Sequence, residues 1–160
     1  MRRADREITE FDEIIKVMQN CDSCNLALNG DDGYPYVIAL NFGMENDGEN
    51  VKLYFHSANE GRKLDLIKKD NRAAFEMDCN HILQYMPARG YCTMAYDSVC
   101  GRGTIEILPD DEKIPALKRI MAQYHKVENA VFAEGALTRT TVYRLNVESI
   151  TGKRKKPKAI

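Results

Sequence analysis

The chain has 160 residues, enough for one domain with one sizeable hydrophobic core. Hydrophobic residues make up 44% and charged residues 29%, and the formal net charge of −1 sets up no overall field that would draw nucleic acid or acidic lipid. No apolar run approaches the roughly 20 residues that span a membrane, and the opening stretch MRRADREITEF lacks the apolar core of an export signal, so a cytoplasmic location is expected.

The first element reads as a helix. Ile8, Phe11, Ile14, Ile15 and Met18 recur at spacings of three and four and line one stripe. Thr9 is a candidate N-cap, the acids that follow suit the helix dipole, and Asn20 ends the element. A strand is then expected over 24–28, a turn at Asn29-Gly30-Asp31-Asp32-Gly33, and a second strand over 34–40, which together make a β-hairpin. A further turn at 46–50 leads into 51–56, where Val51, Leu53 and Phe55 alternate with Lys52, Tyr54 and His56.

Ser57 or Asn59 can cap the short helix that follows, which buries Leu64 and Ile67. Strand is expected again over 73–77 and over 91–108, the latter with a bulge or bend at Gly101 and Gly103. Asp110 opens a late helix striped by Ile114, Leu117, Ile120, Met121 and Tyr124, with Pro115 tolerable only near its first turn. His125 can close that helix. Residues 140–147 alternate as a last strand, with Tyr143, Leu145 and Val147 on one face. About six strands joined mostly by tight turns favour an antiparallel barrel with peripheral helices over a parallel sheet. Residues 1–150 form one domain in this reading, and 151–160 (TGKRKKPKAI) a loose basic tail, more simply solvated than a nucleic-acid patch.

Five cysteines in a chain without an export signal argue for reduced thiols rather than a disulfide framework. Cys21 and Cys24 form a C-x-x-C pair, and Cys79 and His81 could complete a zinc set. A second pair with standard spacing is missing, so the simpler reading packs both cysteines structurally.

The chemistry concentrates in LYFHSANEGRKLDLI, residues 53–67. A strand enters a polar turn that opens a helix, where unpaired backbone N–H groups face an anion. His56 and Ser57 add hydrogen-bonding groups, and Arg62 and Lys63 add two positive charges. These are the parts of a phosphate cradle; the plain alternative is a capped surface helix with solvated basic residues.

The ordered set G-x-P-Y (33–36), LNFG (40–43), YFHSA-x-EGRK (54–63) and Y-x-S-V (96–99) resembles the pyridoxamine 5'-phosphate oxidase-like FMN-binding superfamily. Within it the chain looks most like the Nim (5-nitroimidazole resistance) proteins and related flavin-binding proteins. The resemblance covers about residues 1–150 and implies a mainly β fold, a six-stranded antiparallel split β-barrel with peripheral helices. It implies FMN as cofactor, with His56, Ser57, Arg62 and Lys63 at the phosphate and Leu40 and Asn41 at the flavin edge. Tyr96 and Ser98 would join the flavin site, often from a partner subunit, which makes a homodimer with sites at the interface. The basic residues that grip a vitamin B6 phosphate have no clear match; Arg139 and Arg144 stand in that region by position only.

The resulting expectation is a flavoprotein that reduces a small electron-poor, nitroimidazole-like molecule. His56 is either a cofactor contact or the proton donor, and Tyr96 is the weaker acid. The alternatives are a non-catalytic flavin-binding module and a small zinc-binding structural protein. No Rossmann glycine motif indicates a stable nicotinamide site.

Overall fold

Alternation of apolar and polar side chains along the strands sets the architecture, because it gives each strand one face to bury. The computed structural model describes residues 3–124 and 130–158, so His125 lies outside the described residues. In chain order the elements are β1 (Glu7–Ile8), α1 (Phe11–Gln19), β2 (Cys24–Leu28), β3 (Tyr36–Leu40), β4 (Gly43–Asn46), β5 (Val51–Ala58), α2 (Arg62–Lys69), β6 (Arg72–Met86), β7 (Tyr91–Ile107), α3 (Asp110–Tyr124), α4 (Glu134–Leu137) and β8 (Thr140–Lys155).

The strands form one antiparallel eight-stranded sheet in the order β3-β2-β6-β7-β8-β5-β4, with β1 paired to β8. The mainly β, split-barrel class is the expected one, but the strand count is eight rather than six. Two short strands account for the difference. β4 carries no alternating pattern of its own and is held by pairing Gly43–Asn46 against Tyr54–Val51. β1 takes Ile8 out of the helical stripe and pairs it with Gly152. Helix α1 therefore starts at Phe11 after Glu10, and Thr9 is not its cap. The basic stretch expected to be loose from residue 151 is strand through Lys155, where Tyr96 pairs with Lys155 and Ser98 with Lys153.

Edge strands β3 and β4 sit at opposite ends of the strand order, yet only Asn41 and Phe42 separate them in sequence. Two residues span little distance, so the sheet must roll until its edges approach at that corner. The roll encloses Leu26, Leu53, Phe55, Val99, Tyr143 and Leu145, and α1 closes one end with Ile14, Val17 and Met18. A smaller apolar cluster lies under α3, where Leu117 and Ile120 cover Tyr54 and Val142. Tyr54, expected on the polar face of its strand, is buried for this reason. Gly43 is required there, because a Cβ at that position would collide with the backbone of α3 at Arg119 and Ile120.

β6 and β7 are longer than the pattern suggests. They project past the barrel as a ribbon that turns at Gly90, with a bulge between Cys79 and Ile82 and positive φ at Asn80. The foreseen irregularity at Gly101 and Gly103 appears as a register shift between Arg102 and Gly103 against β8. At the base of the ribbon the buried Asp97 accepts from Arg154 Nε at 2.8 Å and from Asn80 Nδ2 at 2.9 Å, and Arg154 also reaches Glu13 at 3.0 Å. Among the described residues no helix is long and apolar enough to cross a membrane.

Candidate functional site

β5 leaves the core between two adjacent residues: Phe55 is fully buried and His56 is exposed. Its last residues, His56–Ala58, pair with Val142–Thr140 of β8. The chain then crosses to α2 through Gly61, whose φ of 128° lies where L side chains rarely fit. Gly61 is the N-cap of α2, so neither expected cap residue caps. Ser57 Oγ donates to the carbonyl of Ala58 at 2.9 Å. Asn59 instead ties this loop to the start of β8, donating to the Thr138 carbonyl at 2.7 Å and accepting from Thr141 Oγ1 at 3.0 Å. Leu64, Leu66 and Ile67 pin the helix to the core, while in its first turn Arg62 is exposed and Lys63 half-buried.

The two adjacent cations of α2 differ. Arg62 is exposed but engaged: its Nη2 donates to Asp31 Oδ1 at 3.0 Å and to Asp32 Oδ2 at 2.7 Å, and its guanidinium carbon lies 5.3 Å from the Tyr36 ring centroid. The contact with Arg62 holds the Asp32 carboxyl below its ordinary range. Lys63 is half-buried, with Nζ 5.8 Å from the centroid of Tyr143, and among the described residues it has no carboxylate within 4.0 Å. Burial pulls its amine below the usual lysine range. His56 lies close enough to feel that charge: desolvation first, then Lys63, lowers the imidazole below its ordinary 6.5.

Tyr143 underlies this corner, stacked on Phe55 at 5.7 Å and fully buried. Among the described residues its hydroxyl has no hydrogen-bond partner, and burial pushes it well above the usual phenol range. β3 flanks the corner through Arg62 and Tyr36. Among the described residues it pairs only with β2, so its other edge presents N–H and C=O groups that no described strand takes up. Leu40 ends β3 half-buried, and Asn41 follows it exposed, in the link between the two sheet edges.

Tyr96 and Ser98 are elsewhere. His56 pairs with Val142 and Ser98 with Lys153, eleven residues further along β8, a path of roughly 35 Å at the rise of a strand. Tyr96 sits there under Lys153, whose Nζ is 5.6 Å from the ring centroid, and the hydrogen bond to Lys153 lowers its phenol below 10. One chain thus places His56, Ser57, Arg62 and Lys63 at the junction of β5 and α2, with Arg62 against Tyr36 at the start of β3 and Leu40 and Asn41 at that strand's other end, and holds Tyr96 and Ser98 eleven residues away along β8.

Arg144, one of the two arginines in the late region, is tied to Glu106 at 2.7 Å and Glu112 at 3.2 Å. Arg139 is exposed just before β8. Cys21 and Cys24 are buried, and burial pushes both thiols up, opposite to what a reactive or metal-bound cysteine needs. Cys21 Sγ donates to the Val17 carbonyl at 3.2 Å, and Cys79 Sγ reaches the same oxygen at 3.7 Å. Among the described residues no three His, Cys, Asp or Glu side chains are arranged to hold a metal ion. Sequence reasoning missed Asp31 and Asp32 as counter-ions of Arg62, although two acids in the tip of the first hairpin were a visible signal. It also missed Tyr143 beneath Lys63, for which alternation over 140–147 indicates only a face shared with Leu145 and Val147.

A family profile described as pyridoxamine 5'-phosphate oxidase matches residues 10–154. No curated protein matches the chain. Among solved structures, a proposed 5-nitroimidazole antibiotic resistance protein from Bacteroides thetaiotaomicron VPI-5482 is 30% identical, covering 92% of this chain and 85% of its own, with a TM-score of 0.80. The flavocytochrome Anf3 from Azotobacter vinelandii is 14% identical over 100% of this chain and 74% of its own, TM-score 0.83. An FAD- and heme-binding protein from Mycobacterium smegmatis is 18% identical over 97% and 77%, TM-score 0.78. The last two likenesses are of fold.

Proposed function

The chain belongs to the pyridoxamine 5'-phosphate oxidase-like family, and on that footing we propose that it is an FMN-binding homodimeric flavoprotein that reduces a small electron-poor molecule of the nitroimidazole kind. One observation carries the reading. Lys63 is a half-buried cation with no carboxylate beside it among the described residues, at the first turn of a helix and next to His56. An uncompensated cation in such a place favours a dianionic phosphate. Arg62, already neutralised by Asp31 and Asp32, shapes the cradle more than it charges it. The open edge of β3 and the amide of Asn41 suit the polar rim of a flavin ring. The names of similar folds extend to FAD and heme; a phosphate at Lys63 is common to both flavins.

The cofactor would supply the redox chemistry. The residues of the chain would bind it and manage a proton. His56 is held neutral near pH 7 by desolvation and by Lys63. A phosphate against Lys63 cancels the repulsive part, so phosphate binding and protonation of His56 favour each other. His56 then becomes a proton donor toward the acceptor when the cofactor is seated.

The homodimer reading rests on the distance between the two halves of the expected site. If Tyr96 and Ser98 join the flavin that Lys63 holds, a second chain supplies them. The ribbon beyond them carries an apolar face suited to that contact: Leu83 pairs with Met94 and Tyr85 with Cys92, and Leu83 and Tyr85 are 64% and 66% exposed.

Anaerobic single-turnover reoxidation of the reduced flavoprotein by a nitroimidazole tests the activity. The expected result is reoxidation in the wild type and a rate about 10²-fold lower in flavin-saturated His56→Ala. Equal rates return His56 to cofactor binding. No reoxidation of either protein leaves a flavin-binding module without this activity, and protein purified without flavin ends the reading.

A further inference from the structure

The basic stretch at the C-terminal end of the chain is built into the fold. Beyond β8, the side-chain amide of the buried Gln84 clamps the backbone of Lys158 from both sides: Nε2 donates to its carbonyl at 2.9 Å, and Oε1 accepts from its N–H at 2.8 Å. The Lys158 ammonium lies 4.5 Å from the centroid of Tyr91. Lys155 Nζ contacts Thr93 Oγ1, and Lys153 covers Tyr96. Side-chain and backbone entropy has thus been spent on holding cations at fixed places.

Five arginines elsewhere in the fold are neutralised. Arg62, Arg72, Arg119, Arg144 and Arg154 each lie within 3.0 Å of an Asp or Glu oxygen. Among the described residues Lys153, Lys155, Lys156 and Lys158 have no carboxylate within 4.0 Å. Lys155, Lys156 and Lys158 line a cleft of about 560 Å³ between the strand end and the N-terminal segment. Arg3 and Arg6, also on its wall, lie beside Asp5, and Arg154 beside Asp97 and Glu13. Like charges gathered without counter-ions repel one another, and an anion in the cleft relieves that cost.

We propose that this cleft binds a small phosphorylated molecule through Lys155, Lys156 and Lys158. Its volume suits a ligand up to about the size of a mononucleotide. Glu7 and Glu10 also line it and have no cationic partner within 4.0 Å among the described residues. They oppose a long polyanion laid through the cleft and leave room for a compact one against the lysine wall. The cleft is separate from the Lys63 corner of the same chain; Lys155 pairs with Tyr96, whereas Lys156 and Lys158 lie beyond the strand end and are not among the positions assigned to the flavin.

The test is calorimetric titration of inorganic pyrophosphate at fixed ionic strength into FMN-saturated protein, or into the protein as purified if it takes up no flavin. Saturable binding at one per chain is expected. It should weaken about tenfold or more in Lys156→Gln/Lys158→Gln, since two charge-assisted contacts are lost, with FMN affinity unchanged. Gln84→Met removes no charge but unpins Lys158, and a several-fold weakening there supports a built site. Unsaturable binding, or equal affinity in the lysine variant, overturns the proposal. A single-stranded oligonucleotide that binds more tightly than pyrophosphate and loses as much in the same variant overturns it in favour of nucleic acid.

Discussion

The two ends of β8 carry the same kinds of side chain in opposite circumstances. At its start, Tyr143 and Leu145 are fully buried, and the neighbouring cations are few: Arg144 is paired with two glutamates, and Lys63 stands alone over the Tyr143 ring. At its end, Lys153 and Lys155 lie side by side with Tyr96, Ser98 and Thr93. A single unpaired charge at the edge of a core marks one anion contact, whereas several held together mark a surface field. The residues expected at one flavin fall at both ends. A strand is too stiff to bring its own ends together, so a shared site requires a second chain.

Disrupting the apolar ribbon face gives the largest expected effect. Leu83→Asp with Tyr85→Asp puts two charges where a partner would bury them, at least about 3 kcal/mol. The dimer should dissociate, and flavin affinity should fall about 10²-fold or more in parallel. Light scattering beside flavin titration checks both, and a monomer that keeps its flavin would break the link between the two ends.

Lys63→Met comes next. Loss of a charge-assisted contact removes about 1.5–3 kcal/mol, roughly a tenfold or greater loss for FMN. Riboflavin, which has no phosphate, should lose little. Equal losses for both ligands would remove Lys63 from the phosphate.

The alkaline limb is smaller and has a definite sign. The Lys63 amine is depressed by burial in the ligand-free protein, so between that value and the unfolded 10.5 the unfolded chain binds more protons and stability from this group rises with pH. A phosphate prefers the charged amine, so FMN affinity relative to riboflavin should fall over the same window. Paired titrations with the two ligands from pH 7 to 10.5 would show it, and the same fall in Lys63→Met would contradict it.

Arg62→Gln is expected to matter least. Its pairs with Asp31 and Asp32 are exposed and screened by solvent, so the variant should weaken FMN and riboflavin alike and by less than about fivefold. A loss confined to FMN would make Arg62, rather than Lys63, the phosphate cation.

What could be read from the chain follows the physics of each region. β2, β3, β5 and α2 announce themselves because a turn signal or a capping glycine brackets an alternating or periodic run. The family resemblance was legible for the same reason, since its motifs sit in those bracketed segments. β4 was missed because its partner, not its pattern, makes it a strand. Tyr54 was placed outward because its cover, Leu117 and Ile120 of α3, comes from more than sixty residues away. The tail looked loose because lysines favour solvent, and only the pairing with β7 and the clamp from Gln84 fix it. At the site, the positions of His56 and Lys63 were readable, but the difference between Arg62 and Lys63 was not. That difference depends on the hairpin tip, which folding brings against α2.

The most direct test of a flavin site shared between two chains mixes two defective proteins. Lys63→Met and Tyr96→Ala are purified apart, combined under conditions that exchange subunits, and titrated with FMN. In a mixed dimer one site joins the intact Lys63 of one chain to the intact Tyr96 of the other, so FMN affinity at the wild-type level should return at one site per mixed dimer. A mixture that binds no better than its parents, or a Tyr96→Ala parent that already binds at wild-type strength, would contradict it.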